Sequence, residues 1–160
     1  MPKVKDVHRL GVIVKDLEKA VDFFVNNFGA KKGIIYRKDE TENFPIVYDE
    51  IEPEGLKSCY VTLGQDFQIE LMSPSRPDGN IAKLLEKRGE GILTVCFQVD
   101  SVDEAIKELE SKGVRIVGKE QLNWITKIKM ADGSVKEVHT PYVFVHPKDA
   151  FGLMIEIGLR

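Results

Sequence analysis

Apolar and polar residues fall along this chain in short runs whose period changes repeatedly. The apolar stretch at 10–14 (Leu10-Gly11-Val12-Ile13-Val14) is brief and β-prone and predicts a strand. Asp16 then stands where a helix N-cap belongs. Leu17, Ala20, Val21 and Phe24 recur at helical spacing as far as Gly29, a residue suited to the positive φ of a helix C-terminus. The same pattern returns later in the chain. Residues 95–99 predict a strand, Ser101 takes the capping position, Val102, Ala105, Ile106 and Leu109 line a helical face, and Gly113 ends it. The separation is a constant 85 residues, from Val14 to Val99 and from Phe24 to Leu109.

Strands are predicted after each helix, at 33–36, 58–63 and 68–72 in the first half and at 114–117, 142–146 and 153–157 in the second. The closing strands again match, Ile69-Glu70-Leu71 against Ile155-Glu156-Ile157, 86 residues apart. A short helix at 81–87 is predicted to bridge the halves after the turn-rich Ser73-Pro74-Ser75-Arg76-Pro77-Asp78-Gly79. The stretch 122–140 has no counterpart, and Asp132-Gly133 at its centre predicts an added β-hairpin. A unit of about 70 residues present twice is unlike a solenoid repeat. The expected fold is therefore α+β: two paired βαβββ modules, about 5–73 and 90–160, forming a curved, barrel-like mixed sheet around a central pocket. The bridging helix falls near 80–88, and one domain spans 1–160.

Side chains alternate between the faces of a strand. Val12, Val14, Ile69, Leu71, Val95, Phe97, Val99, Ile155 and Ile157 are apolar, so their faces should pack on the helices. The opposite faces carry Arg9, Gly11 and Ile13; Gln68, Glu70 and Met72; Thr94, Cys96 and Gln98; and Met154 and Glu156. Ser58, Tyr60 and Thr62 join them by the same rule, as do Tyr142, Phe144 and His146. This mixture suits a concave surface on which a few polar groups orient a ligand. In the repeat, Arg9 is equivalent to Thr94 and Glu70 to Glu156, so a pseudo-twofold pairing should bring these four side chains together.

Composition narrows the picture. The chain has 160 residues, 42% hydrophobic and 31% charged, as in a soluble globular domain. With 23 basic against 26 acidic residues, the net charge is -3, and nothing favours a nucleic-acid partner. The Lys-rich stretch 127–136 reads as the solvated face of the hairpin. The N-terminus lacks the apolar core of a signal peptide, and no apolar run reaches membrane-spanning length, so a cytoplasmic protein without membrane contact is expected. Cys59 and Cys96, without C-x-x-C spacing, are expected as reduced thiols.

Several phrases resemble the vicinal-oxygen-chelate superfamily of glyoxalases (lactoylglutathione lyases), methylmalonyl-CoA epimerases, ring-cleaving dioxygenases and bleomycin-resistance proteins, with the strongest likeness to the epimerase branch. They are Val14-Lys15-Asp16-Leu17-Glu18-Lys19-Ala20, Ile69-Glu70-Leu71-Met72-Ser73-Pro74, Gly89-Glu90-Gly91, and the run from Val145-His146-Pro147-Lys148-Asp149 to Glu156. The resemblance covers most of the chain apart from the hairpin. It implies a divalent-metal site with one ligand from each of four strands, two histidines and two Glu or Gln. It also implies a homodimer. Glu70 and Glu156 stand at the two acidic or amide positions, whereas Arg9 and Thr94 stand at the histidine positions. Ser58 stands where the epimerases carry a glutamate base.

Arginine stays protonated and offers only donors, so it is no metal ligand. Arg9 is instead expected to be the counter-charge that lets Glu70 and Glu156 face each other, or to anchor a substrate carboxylate or phosphate. No cofactor is expected; a divalent ion at Glu70 and Glu156 is the alternative. Register places His8 on the outer face, at the surface. His146 is either a proton donor and acceptor at the pocket rim or a turn residue bonded to backbone. His139 lies in the insertion, Cys96 reads as a pocket-lining thiol, and Trp124 and Phe144 are candidate pocket aromatics.

Two functions fit these residues. The first is a glyoxalase-fold protein with a degenerate metal site that binds a small anionic or oxygenated ligand through Arg9, Ser58, Tyr60, Thr94, Phe144 and His146. The alternative is a divergent isomerase or lyase acting on an acyl-thioester or α-oxo compound. In that case Glu156 or Glu70 is the base and Arg9 steadies the enolate. A structural subunit with a vestigial pocket is the third reading, and whether the chain is an enzyme stays open.

Overall fold

The computed structural model describes residues 3–33, 50–51, 55–123, 125–129, 133–139 and 141–159. The predicted strand at 33–36 lies largely outside these residues, and so does Trp124.

Both module helices start and stop as their sequences dictate. Helix α1 (Leu17–Phe28) is capped by Asp16, whose Oδ1 accepts the Lys19 N–H at 3.1 Å. It ends at Gly29, which adopts the left-handed conformation (φ 65°) and donates to the Val25 carbonyl. Helix α3 (Val102–Ser111) is capped in the same way by Ser101 on the Glu104 N–H, at 3.2 Å. Helix α2 (Asn80–Arg88) is the predicted bridge.

The strands are β1 (Asp6–Ile13), β2 (Lys31–Lys32), β3 (Glu50–Ile51), β4 (Leu56–Leu63), β5 (Phe67–Pro74), β6 (Gly91–Gln98), β7 (Ile116–Val117), β8 (Ile125–Lys129), β9 (Val135–His139), β10 (Tyr142–Val145) and β11 (Met154–Gly158). One mixed, curved sheet runs β2-β4-β5-β1-β6-β11-β10-β7, with β3 also paired to β4. The order mirrors itself about the antiparallel pairing of β1 with β6. On one side β1 pairs parallel with β5, and on the other β6 pairs parallel with β11. The strand β8 pairs with β9 as a separate two-stranded hairpin, as the Asp132-Gly133 signal predicts.

Each half buries its own core. Val14, Leu17 and Val21 pack on Cys59, Val61, Ile69 and Leu71; Val102, Ala105 and Ile106 pack on Val143, Val145 and Ile157. A third cluster was not expected. Ile13 and Met72, which alternation places on the pocket face, are covered by Ile81 of α2 together with Leu56 and Leu93. The bridging helix therefore covers that face at Ile13 and Met72. Among the described residues, no helix is long and apolar enough to cross a membrane.

His8 corrects a sequence expectation. It is 7% exposed, not a surface residue. Val7 pairs with Phe97 and Arg9 with the adjacent Cys96, so a bulge takes up His8 between them and strict alternation fails there.

Candidate functional site

Strand register sets the site. Arg9 on β1 lies opposite Gln68 on β5 and opposite Cys96 on β6, and Cys96 in turn lies opposite Glu156 on β11. Glu70 is opposite Gly11 on β1 and Tyr60 on β4. The Arg9 guanidinium reaches both glutamates. A Cβ at Gly11 would sit 2.2 Å from the Thr94 Oγ1 and 2.8 Å from the Met72 Cε, so this glycine makes room for the neighbouring strands' side chains.

Arg9 binds in three directions. Its Nη2 donates to the Glu156 Oε1. Its Nη1 donates to the Tyr60 hydroxyl at 2.8 Å, and its Nε lies 3.6 Å from the Glu70 Oε2. The guanidinium carbon is 5.6 Å from the Tyr60 ring centroid, within cation–π range. Cys96 Sγ lies 3.4 Å from the Glu156 Oε1, as a thiol donor. Glu70 and Glu156 are buried, at 8% and 6% exposure, and Ser58, Thr94 and Cys96 are buried beside them.

This environment sets the protonation states. Burial pushes the Glu70 carboxyl up and the nearby Glu156 charge adds to the rise, against the pull of Arg9 and hydrogen bonds from Tyr60 and Ser58. Burial also raises the Tyr60 phenol well above its usual range, despite Arg9. Burial works against the Arg9 charge, but Glu156, Tyr60 and Glu70 outweigh it and hold the guanidinium firmly protonated. Burial and Glu156 push the Cys96 thiol up, which leaves it a poor nucleophile.

Of the four repeat-equivalent positions, Arg9, Glu70 and Glu156 converge, while Thr94 lies one row along, against Gly11. Ser58 and Tyr60 join the cluster through Glu70, and Tyr60 also through Arg9. Phe144 lies opposite Glu156 in register and packs edge-on against Tyr142. His146 ends β10 and caps a 3-10 turn at Pro147–Asp149, where its Nδ1 accepts the Lys148 N–H at 3.2 Å; it takes the turn role. His139 bonds the Leu122 carbonyl at 2.8 Å and so ties the hairpin to the preceding turn.

The residues do not fit a divalent ion. A guanidinium lies between the two carboxylates and would repel a cation there. Thr94 offers one neutral oxygen, turned toward Gly11. Among the described residues, no group of three or more His, Cys, Asp or Glu is arranged to hold a metal.

Comparison with known proteins bears on the fold and the family. The Glyoxalase/Bleomycin resistance protein/Dioxygenase superfamily profile matches residues 8–125. The chain is 33% identical over 153 residues to a Bos taurus protein named mitochondrial methylmalonyl-CoA epimerase, covering 94% of this chain and 72% of that one. The structure of methylmalonyl-CoA epimerase from Mycobacterium tuberculosis aligns with a TM-score of 0.70 at 28% identity, covering 98% of this chain and 88% of that one. A methylmalonyl-CoA epimerase in complex with methylmalonyl-CoA and NH4+ shares the fold, with a TM-score of 0.69 at 22% identity over 98% of this chain and 95% of that one.

Proposed function

The chain belongs to the glyoxalase/bleomycin resistance protein/dioxygenase superfamily, and we propose that it binds a small anionic ligand of the acyl-thioester class on the concave face without a divalent metal. The observation that carries this reading is the Arg9 guanidinium between Glu70 and Glu156. A fixed positive charge already compensates the two acids, so they neither need nor attract an ion. The guanidinium keeps N–H groups to spare, which can donate to a ligand oxygen. The ligand class follows from relatives named for methylmalonyl-CoA and from a neighbour that holds it. Self-association as a homodimer in the cytoplasm belongs to the same proposal, and light scattering on the purified protein reads the mass.

Calorimetric titration with methylmalonyl-CoA in the presence of EDTA tests the reading. Saturable binding is expected, unchanged by the chelator. Arg9→Lys keeps the charge but loses the planar fork, and should weaken binding about tenfold. Binding that requires an added divalent ion contradicts the proposal.

A second reading is favoured by the raised Glu70 carboxyl, which is bonded to a protonated phenol. Here Glu70 takes the proton α to the thioester carbonyl, and Arg9 stabilises the enolate. Glu156 is the weaker candidate base because it is held directly by Arg9. In heavy water, this reading expects deuterium at the α-carbon of methylmalonyl-CoA and its loss in Glu70→Gln. Unchanged exchange in that variant rules the assignment out.

A further inference from the structure

Gln68 stands in the first half of β5, on the face shared with Glu70 and Met72. Its register partners are Thr62 on β4 and Arg9 on β1, so Gln68 and Arg9 stand side by side on adjacent parallel strands and share a face. It is 2% exposed. Its Nε2 has no hydrogen-bond partner, and neither has the Arg9 Nε, which lies 3.6 Å from the nearest Glu70 oxygen. Thr62 sends its hydroxyl away to the Gly33 carbonyl, at 2.7 Å.

Two residues side by side on adjacent strands thus each hold a buried N–H group without a hydrogen-bond partner within the protein. Buried donors are nearly always satisfied, because stripping one of water without replacing its bond costs more than a made bond returns. At a position this buried, an apolar side chain of similar volume would serve stability better. A donor kept there in spite of that cost is matched to an acceptor that arrives from outside.

We infer that Gln68 Nε2 and Arg9 Nε together receive one oxygen of the ligand, the thioester carbonyl or the carboxylate of an acyl-CoA. This rests on the acyl-thioester reading above. A neutral and a cationic donor side by side stabilise an oxygen that carries or gains negative charge. A ligand without that oxygen leaves both donors unpaired and gains nothing from them.

Gln68→Met keeps the volume and removes the side-chain amide, and three probes are titrated into it and into the wild type: methylmalonyl-CoA, propionyl-CoA and coenzyme A. The variant should bind methylmalonyl-CoA about tenfold more weakly, with coenzyme A unchanged. An equal loss for propionyl-CoA assigns the oxygen to the thioester carbonyl; a loss confined to methylmalonyl-CoA assigns it to the carboxylate. Without ligand the variant should melt above the wild type, since an unsatisfied buried group is gone. If the wild type binds neither acyl-CoA, the acyl-thioester reading falls and takes this inference with it. If the wild type binds and Gln68→Met binds equally well or melts lower, as for an amide bonded within the protein, this inference alone falls.

Discussion

Arg9 decides the character of the concave face, because its charge is the reason two buried carboxylates tolerate each other. Arg9→Leu leaves both acids without a counter-charge and should destabilise the protein by about 3–5 kcal/mol in urea unfolding. Glu70 has a pH signature of its own. Its carboxyl is raised in the folded state, so the native protein holds this proton more tightly than the unfolded chain. Stability then falls as pH rises from the ordinary glutamate range through the raised value, and levels off above it. Glu70→Gln should remove that slope from melting temperatures measured across the acid range. The Arg9 pairing was legible in the sequence, because repeat equivalence placed Arg9, Glu70 and Glu156 on one face. The burial of His8 was not, because a bulge breaks the two-residue alternation from which faces are read. Gln68 was placed on the right face, but its lack of a partner depends on neighbours from two other strands, which no local pattern reveals.

At the scale of elements, caps and glycines place the strands that carry the site. Ser101 bonds the Glu104 N–H at the start of α3, and Ser101→Ala should cost about 1 kcal/mol, read as a lower melting temperature with the fold retained. Gly11 is under tighter constraint, since an added Cβ would lie 2.2 Å from the Thr94 Oγ1. Gly11→Ala should push Thr94 and Met72 aside and weaken both stability and ligand binding. Helix positions were readable from periodicity because each helix buries a single stripe. The covering of Ile13 and Met72 by α2 was not readable, because it depends on where a linker helix docks in three dimensions. Strand ends also shifted: residues 114–117 predicted a longer strand than the pair Ile116–Val117 that bonds to β10.

For the molecule as a whole, the mirrored sheet puts the site at its seam. The strands β1 and β6 meet antiparallel, each beside the parallel strand that bears a glutamate. Three of the four equivalent positions meet there, and the fourth, Thr94, packs on Gly11 instead. The fold of the matched superfamily thus carries, in this chain, an internal cation between two buried acids. Metal content is the most direct test. Purified protein is incubated with excess manganese, cobalt or magnesium, passed through a desalting column and analysed by plasma mass spectrometry. The account predicts far less than one ion per chain for each metal; one tightly held ion per chain would contradict it.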